Sequence, residues 1–84
     1  MFQLVYKTSA VKELNTISDP VNTQIRTAIL NLSGNPRPFG YRKIIGDECL
    51  WRIRVGDYRV VYEIHDSLKL IRIIRIRHRK DAYR

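Results

Sequence analysis

The stretch Trp51-Arg52-Ile53-Arg54-Val55-Gly56-Asp57-Tyr58-Arg59-Val60-Val61-Tyr62-Glu63-Ile64 decides how this chain of 84 residues folds. Trp51, Ile53 and Val55 alternate with Arg52 and Arg54. After Gly56-Asp57, Tyr58, Val60, Tyr62 and Ile64 alternate with Arg59, Val61 and Glu63. A period of two, broken by a Gly-Asp pair, predicts two antiparallel strands joined by a two-residue turn. In that register Val55 faces Tyr58 and Arg54 faces Arg59. One face of the ribbon is then aromatic and aliphatic, and the other gathers Arg52, Arg54 and Arg59. Like charges set directly across strands are destabilising. A ribbon with this pattern is suited to meet an anion, and nucleic acid is the polyanion that best fits it.

On the N-terminal side, Met1 to Lys7 reads as a first strand in which Phe2, Leu4 and Tyr6 share a face. Thr8 or Ser9 can cap a helix running to about Ile17, with Ala10, Val11, Leu14 and Ile17 at helical spacing. Asp19-Pro20 marks a second helix start, whose stripe is Val21, Ile25, Ala28, Ile29 and Leu32. Ser33-Gly34-Asn35-Pro36 stops it. Tyr41 to Ile45 reads as a second strand, ended by Gly46-Asp47. On the C-terminal side, His65-Asp66-Ser67 is a turn and Lys69 to His78 a last strand. Leu68, Leu70, Ile74 and Ile76 are expected to face the helices. Ile71, Ile73, Arg75, Arg77 and Arg79 then share the face of Arg52, Arg54 and Arg59, and Arg72 breaks that scheme unless it lies at an edge, snorkels or follows a bulge. The pattern is β-α-α-β-β-β. It predicts one α+β domain over residues 1–84, a two-helix hairpin packed on one face of a small, mostly antiparallel sheet.

The formal net charge is +8. It is uneven: residues 1–40 carry +2 and residues 41–84 carry +6. Eleven of the sixteen basic residues are Arg, whose planar fork suits phosphate better than a lysine point charge. This points to an anionic partner. The single cysteine, Cys49, excludes an internal disulfide and is expected to be a small buried residue. No secretory leader and no run of transmembrane length is read, so a cytoplasmic protein with no membrane partner is expected.

The bare face bears on phosphoryl transfer. Cleaving RNA requires charge stabilisation at phosphorus, a base for the 2′-hydroxyl and an acid for the leaving 5′-oxygen. Arg59, flanked by Arg52 and Arg54, supplies the first. Arg is a poor base, and the better titrating groups nearby in sequence are His78 and Tyr83. The acids Asp47, Glu48, Asp57, Glu63, Asp66 and Asp81 are scattered and form no metal-ligand spacing. No metal and no cofactor is expected, and no phosphate-binding glycine loop is present.

Together with Ile76-Arg77-His78-Arg79-Lys80-Asp81-Ala82-Tyr83, the hairpin stretch resembles the RelE/ParE superfamily of toxin–antitoxin systems, the RelE branch being the closer likeness. The likeness covers nearly the whole chain, including the Leu14 helix and the Gly34-Asn35-Pro36 break. It implies a small cytoplasmic ribonuclease that cuts mRNA in the ribosomal A site without a metal. The message's own 2′-hydroxyl attacks the scissile phosphate and leaves a 2′,3′-cyclic phosphate. It implies catalytic roles for Arg52, Arg54, Arg59, Arg79 and Tyr83; His78 is a catalytic candidate on the titration argument alone. Arg75, Arg77, Lys80 and Arg84 are the expected RNA-binding residues. The implied partners are the ribosome, mRNA and a cognate RelB-like antitoxin, acidic and partly disordered when free. That antitoxin is expected to cover the Arg cluster and apolar residues near Leu50, Val61, Ile71 and Ile73. Operator DNA is met only through the antitoxin complex. Familiar members carry lysines where this chain has Arg52 and Arg54. The ParE branch shares the fold but poisons DNA gyrase, and a basic binding module without catalysis is the remaining alternative.

Overall fold

In the computed structural model, which describes residues 1–44, 46 and 49–82 (81 and 82 as backbone only), the hairpin is the middle of a five-stranded sheet. The chain order is β1 (Gln3–Tyr6), α1 (Thr8–Asn15), α2 (Val21–Leu32), β2 (Arg42–Lys43), β3 (Leu50–Val55), β4 (Tyr58–His65), β5 (Leu70–His78) and α3 (Arg79–Ala82). The α+β class holds: the five strands read individually from the sequence are all present, one more than the β-α-α-β-β-β shorthand counts, and only the terminal helical turn is new. The spatial order is β1-β5-β4-β3-β2; β1 runs parallel to β5 and every other pair is antiparallel.

The β3–β4 register is the expected one, Val55 opposite Tyr58 and Arg54 opposite Arg59. Gly56 makes the turn at φ +59°, in the left-handed region where a Cβ is unfavourable. Both helices lie on the face that carries Ile53, Val60 and Tyr62. They insert Ala10 and Leu14 from α1, and Ile25, Ile29 and Leu32 from α2, into one core. The Tyr62 hydroxyl, within that core, donates to the Pro36 carbonyl at 2.8 Å.

Several expectations are corrected. Ile71 and Ile73 are fully buried on the helix side, not on the Arg face. The cause is a bulge: Val61 pairs with Arg75, but the next residue, Tyr62, pairs with Ile73. The extra residue on β5 resets the alternation, so Ile71, Ile73 and Ile76 all face the helices while Arg72, Arg75 and Arg77 face away. Leu70 pairs with His65 on the bare side, and Leu68 is exposed in the turn before β5. Ile71 and Ile73 therefore offer nothing to a partner, and Val61 is itself nearly buried. Helix α1 ends at Asn15, and neither Thr8 nor Ser9 caps it: Lys7 is the cap residue and makes no side-chain cap bond. Pro20, expected at the first helical position, is the cap residue of α2, and Asp19 just before it reaches the first turn, its Oδ1 accepting from the Thr23 N–H and hydroxyl at 3.0 and 2.6 Å. Cys49 is exposed, because it precedes β3 in a turn rather than lying in the strand. Ile45 and Asp47, expected at the end of the second strand, lie outside the described residues. Among the described residues, no helix is long and apolar enough to cross a membrane.

Candidate functional site

Period-two alternation puts arginines in rows across the uncovered face. Arg54, Arg59 and Arg77 are register partners across β3, β4 and β5. The next row holds Arg42, Arg52, Val61 and Arg75. One row further along, Glu63 changes the balance: it lies 3.7 Å from the Arg72 guanidinium and 3.1 Å from His65 Nε2. The face is therefore graded. Positive charge fills the two rows nearer the Gly56-Asp57 turn, where Glu13 and Asp57 offset part of it, and Glu63 neutralises the row beyond.

At the turn, Arg79 joins the cluster. Its backbone N–H donates to the Asp57 carbonyl at 2.7 Å, and its Nε lies 3.8 Å from Asp57 Oδ1. Arg54, Gly56, Asp57, Tyr58, Arg59 and Arg79 line a hollow of about 50 Å³. Three arginines from two strands and the start of α3 thus line a space of one small group's size. Arg52 stands one row away and is half-buried. Among the described residues, no group of three or more His, Cys, Asp or Glu side chains could hold a metal ion.

The structure does not bring every expected residue here. His78 is the register partner of Tyr58 and packs edge-on against its ring, centroids 5.2 Å apart at 86°. That puts it on the helix side, where it lines a separate cavity of about 520 Å³ with Lys12, Glu13, Thr16, Ile17, Tyr58, Ile76 and Arg77. His78 Nδ1 accepts the Lys80 N–H at 3.2 Å. Arg77 belongs to the bare face by register, but its Nε donates to Glu13 Oε2 at 3.0 Å. Arg75 lies on the bare face, and Lys80 is exposed on α3. Tyr83 and Arg84 lie outside the described residues. Two residues with a place at or beside this face were not singled out from sequence. Asp57 reads as a turn residue, and Glu13 reads as one of many charged positions on a helix; nothing in the periodicity links Glu13 to Arg77, 64 positions away.

The fold matches solved toxins over nearly its full length. It matches the archaeal RelE–RelB complex from Pyrococcus horikoshii OT3 at 26% identity, over 93% of this chain and 94% of that one, with a TM-score of 0.82. The isolated E. coli RelE toxin is 20% identical, over 99% and 96% of the two chains, with a TM-score of 0.81. The RelBE2 toxin–antitoxin complex from Mycobacterium tuberculosis is 21% identical, over 92% and 96%, with a TM-score of 0.80. The family model that matches this chain, together with the fold it shares with these structures, defines a toxin of the RelE/ParE superfamily. The chain belongs to the family described as ParE toxin of type II toxin-antitoxin system, parDE, whose model matches residues 4–83. No curated protein matches the sequence significantly.

Proposed function

We propose that this toxin is a ribosome-dependent mRNA endoribonuclease of the RelE type, acting in the cytoplasm and held inactive by a cognate RelB-like antitoxin. The observation that carries this reading is the meeting of Arg54, Arg59 and Arg79 around one small hollow at the hairpin turn. In the proposed reaction the 2′-oxygen of the message forms a bond to the adjacent phosphorus, and the P–O5′ bond breaks. The products are a 2′,3′-cyclic phosphate and a 5′-hydroxyl. Negative charge grows on the non-bridging oxygens as phosphorus becomes five-coordinate, and preorganised guanidiniums stabilise that charge with little reorganisation. Arg59 is central, between its register neighbours Arg54 and Arg77. Arg52 and Arg54 act as electrostatic clamps rather than bases, because a guanidinium holds its proton.

The proton released from the 2′-hydroxyl and the proton taken up by the leaving 5′-oxygen balance, and their transfer is assigned to the phenol of Tyr83, the titrating group the family likeness supplies beyond Arg79. His78, packed on Tyr58 on the side away from Arg54 and Arg59, is assigned to ordering the tail through the Lys80 N–H. The antitoxin we expect is acidic and folds on binding, neutralising the arginine rows; operator DNA is met through that complex.

A second reading has its own support: the family model that matches is the ParE one. In that reading the arginines bind a protein or DNA surface and DNA gyrase is the target. Induction in a sensitive bacterium separates the two. The proposal expects translation to stop first, with primer extension showing breaks in a translated message and none in an untranslated copy. DNA breaks appearing before any fall in protein synthesis would establish the second reading instead.

A further inference from the structure

Strand β1 ends at Tyr6, opposite Ile73, while β5 continues to His78. Beyond Ile73, β1 no longer supplies partners to β5, and α1 runs alongside instead. Glu13 of α1 meets that stretch with both carboxylate oxygens. Oε1 accepts the Ile76 N–H at 2.9 Å, and Oε2 accepts Arg77 Nε–H at 3.0 Å. The two side chains are partly shielded, with 26% of Glu13 and 39% of Arg77 exposed. A carboxylate fixed at one oxygen by the backbone presents the other in a set direction, so little freedom is lost in holding the guanidinium.

Arg77 is also the third member of the row Arg54, Arg59, Arg77. Three adjacent like charges repel, and Glu13 is the acid that reaches this row from a helix. We propose that Glu13 is a positioning residue of the basic face: it holds Arg77 at the β5 edge, so that Arg54 and Arg59 bind RNA phosphate and Arg77 does not. The inference rests on the reading of this face as RNA-facing. It reassigns Arg77, which sequence alone groups with the RNA-binding arginines, to an ion pair that ends the row.

The test is binding of a single-stranded 2′-O-methyl RNA oligonucleotide, which has no free 2′-hydroxyl to attack and needs no ribosome, measured by anisotropy across salt concentrations. Each phosphate contact on a single strand contributes roughly −0.7 to the slope of log K against log salt. Arg77→Gln should leave the slope at its wild-type value. Glu13→Gln keeps an acceptor for the Ile76 N–H, frees Arg77, and should steepen the slope by about 0.7. The double variant should return to the wild-type slope, a return that a merely structural role for Glu13 does not produce. The inference is overturned if Arg77→Gln alone flattens the slope by about 0.7, or if folded Glu13→Gln leaves it unchanged. Arg77→Gln decides the matter even if Glu13→Gln does not fold. An Arg59→Gln variant with the wild-type slope overturns the RNA reading of the face and this inference with it. Failure of the inference alone shows only in the Glu13 and Arg77 variants.

Discussion

The two faces of one sheet obey different physics. Toward the helices, Val60, Tyr62, Ile71 and Ile73 are fully buried against Ile25 and Ile29. That side is set by volume and by removal of apolar surface from water. Away from the helices, the same strands present Arg52, Arg54, Arg59, Arg72, Arg75 and Arg77, restrained here and there by Glu63 and Glu13. Adjacent residues of β3 and β4 thus belong to different systems. One holds the fold together; the other opposes it slightly through repulsion and is kept for what it meets. Substitutions on the two faces should therefore separate stability from activity.

The largest separation is expected at Ile29. Truncating it to Ala leaves a cavity in a fully buried site and should cost about 2–5 kcal/mol. Arg75→Ala on the opposite face should stay within about 0.5 kcal/mol. Urea unfolding of the two variants gives the contrast directly, and losses of similar size from both would end the division into two faces.

Next is Arg59→Ala, which should invert the pattern. Removing a guanidinium that faces Arg54 and Arg77 relieves cross-strand repulsion, so the unfolding midpoint should fall far less than for Ile29→Ala. If Arg59 meets the scissile phosphate, single-turnover cleavage on programmed ribosomes should slow by about 10²-fold or more. Full activity at equal soluble expression would remove Arg59 from the site.

The same contrast explains what could be read from the chain. Period-two alternation is a local signal, and it gave the β3–β4 register, the turn at Gly56-Asp57 and the arginine side of both strands correctly. Strand β5 could not be read this way, because one extra residue on it opposite the Val61–Tyr62 step flips every later side chain. Alternation carried through Leu70 to Ile76 therefore assigns Ile71 and Ile73 to the wrong side. Helix α2 was legible from its stripe and stop. The Arg79 contact with Asp57 and the reach of Glu13 to Arg77 were not, since both depend on where distant segments pack. His78 shows the limit most clearly: near Arg79 in sequence, it turns to the helix side and packs on Tyr58.

A smaller effect is expected at Tyr62, a polar group inside the buried face. Tyr62→Phe leaves the Pro36 carbonyl without its donor and should cost about 1–2 kcal/mol at neutral pH. Burial pushes the Tyr62 hydroxyl up to about 12, with Tyr41 adding to the shift and Arg37 opposing it. An ordinary tyrosine titrates near 10. Between roughly pH 10 and 12 the folded chain keeps a proton that the unfolded chain has released, so stability falls as pH rises through that window. The wild type should lose stability more steeply there than Tyr62→Phe. Parallel curves for the two proteins would mean that the hydroxyl is more hydrated than its place in the core implies.

The smallest effect should come from Asp66, at the rim where the connection after α2 crosses the β4–β5 turn. Arg37 holds its carboxylate with two hydrogen bonds, Nη1 to Oδ1 at 3.3 Å and Nη2 to Oδ2 at 2.8 Å. Those bonds hold the Asp66 carboxyl below the usual carboxylate range, aided by the charges of Arg37 and Lys69. The folded pKa is depressed, so the contribution is present above the unfolded value and is lost as pH falls through the folded one. Both partners are exposed, 40% for Arg37 and 59% for Asp66, so water and salt screen the pair heavily. Asp66→Asn should therefore lower the thermal midpoint only slightly at neutral pH. The difference from wild type should shrink in about 1 M salt and vanish in acid, once the wild-type carboxyl is itself protonated. A loss as large as that of Tyr62→Phe, and insensitive to salt, would show that exposed charge on this rim holds the fold as the core does, and the contrast between the two faces would then fail at its edge.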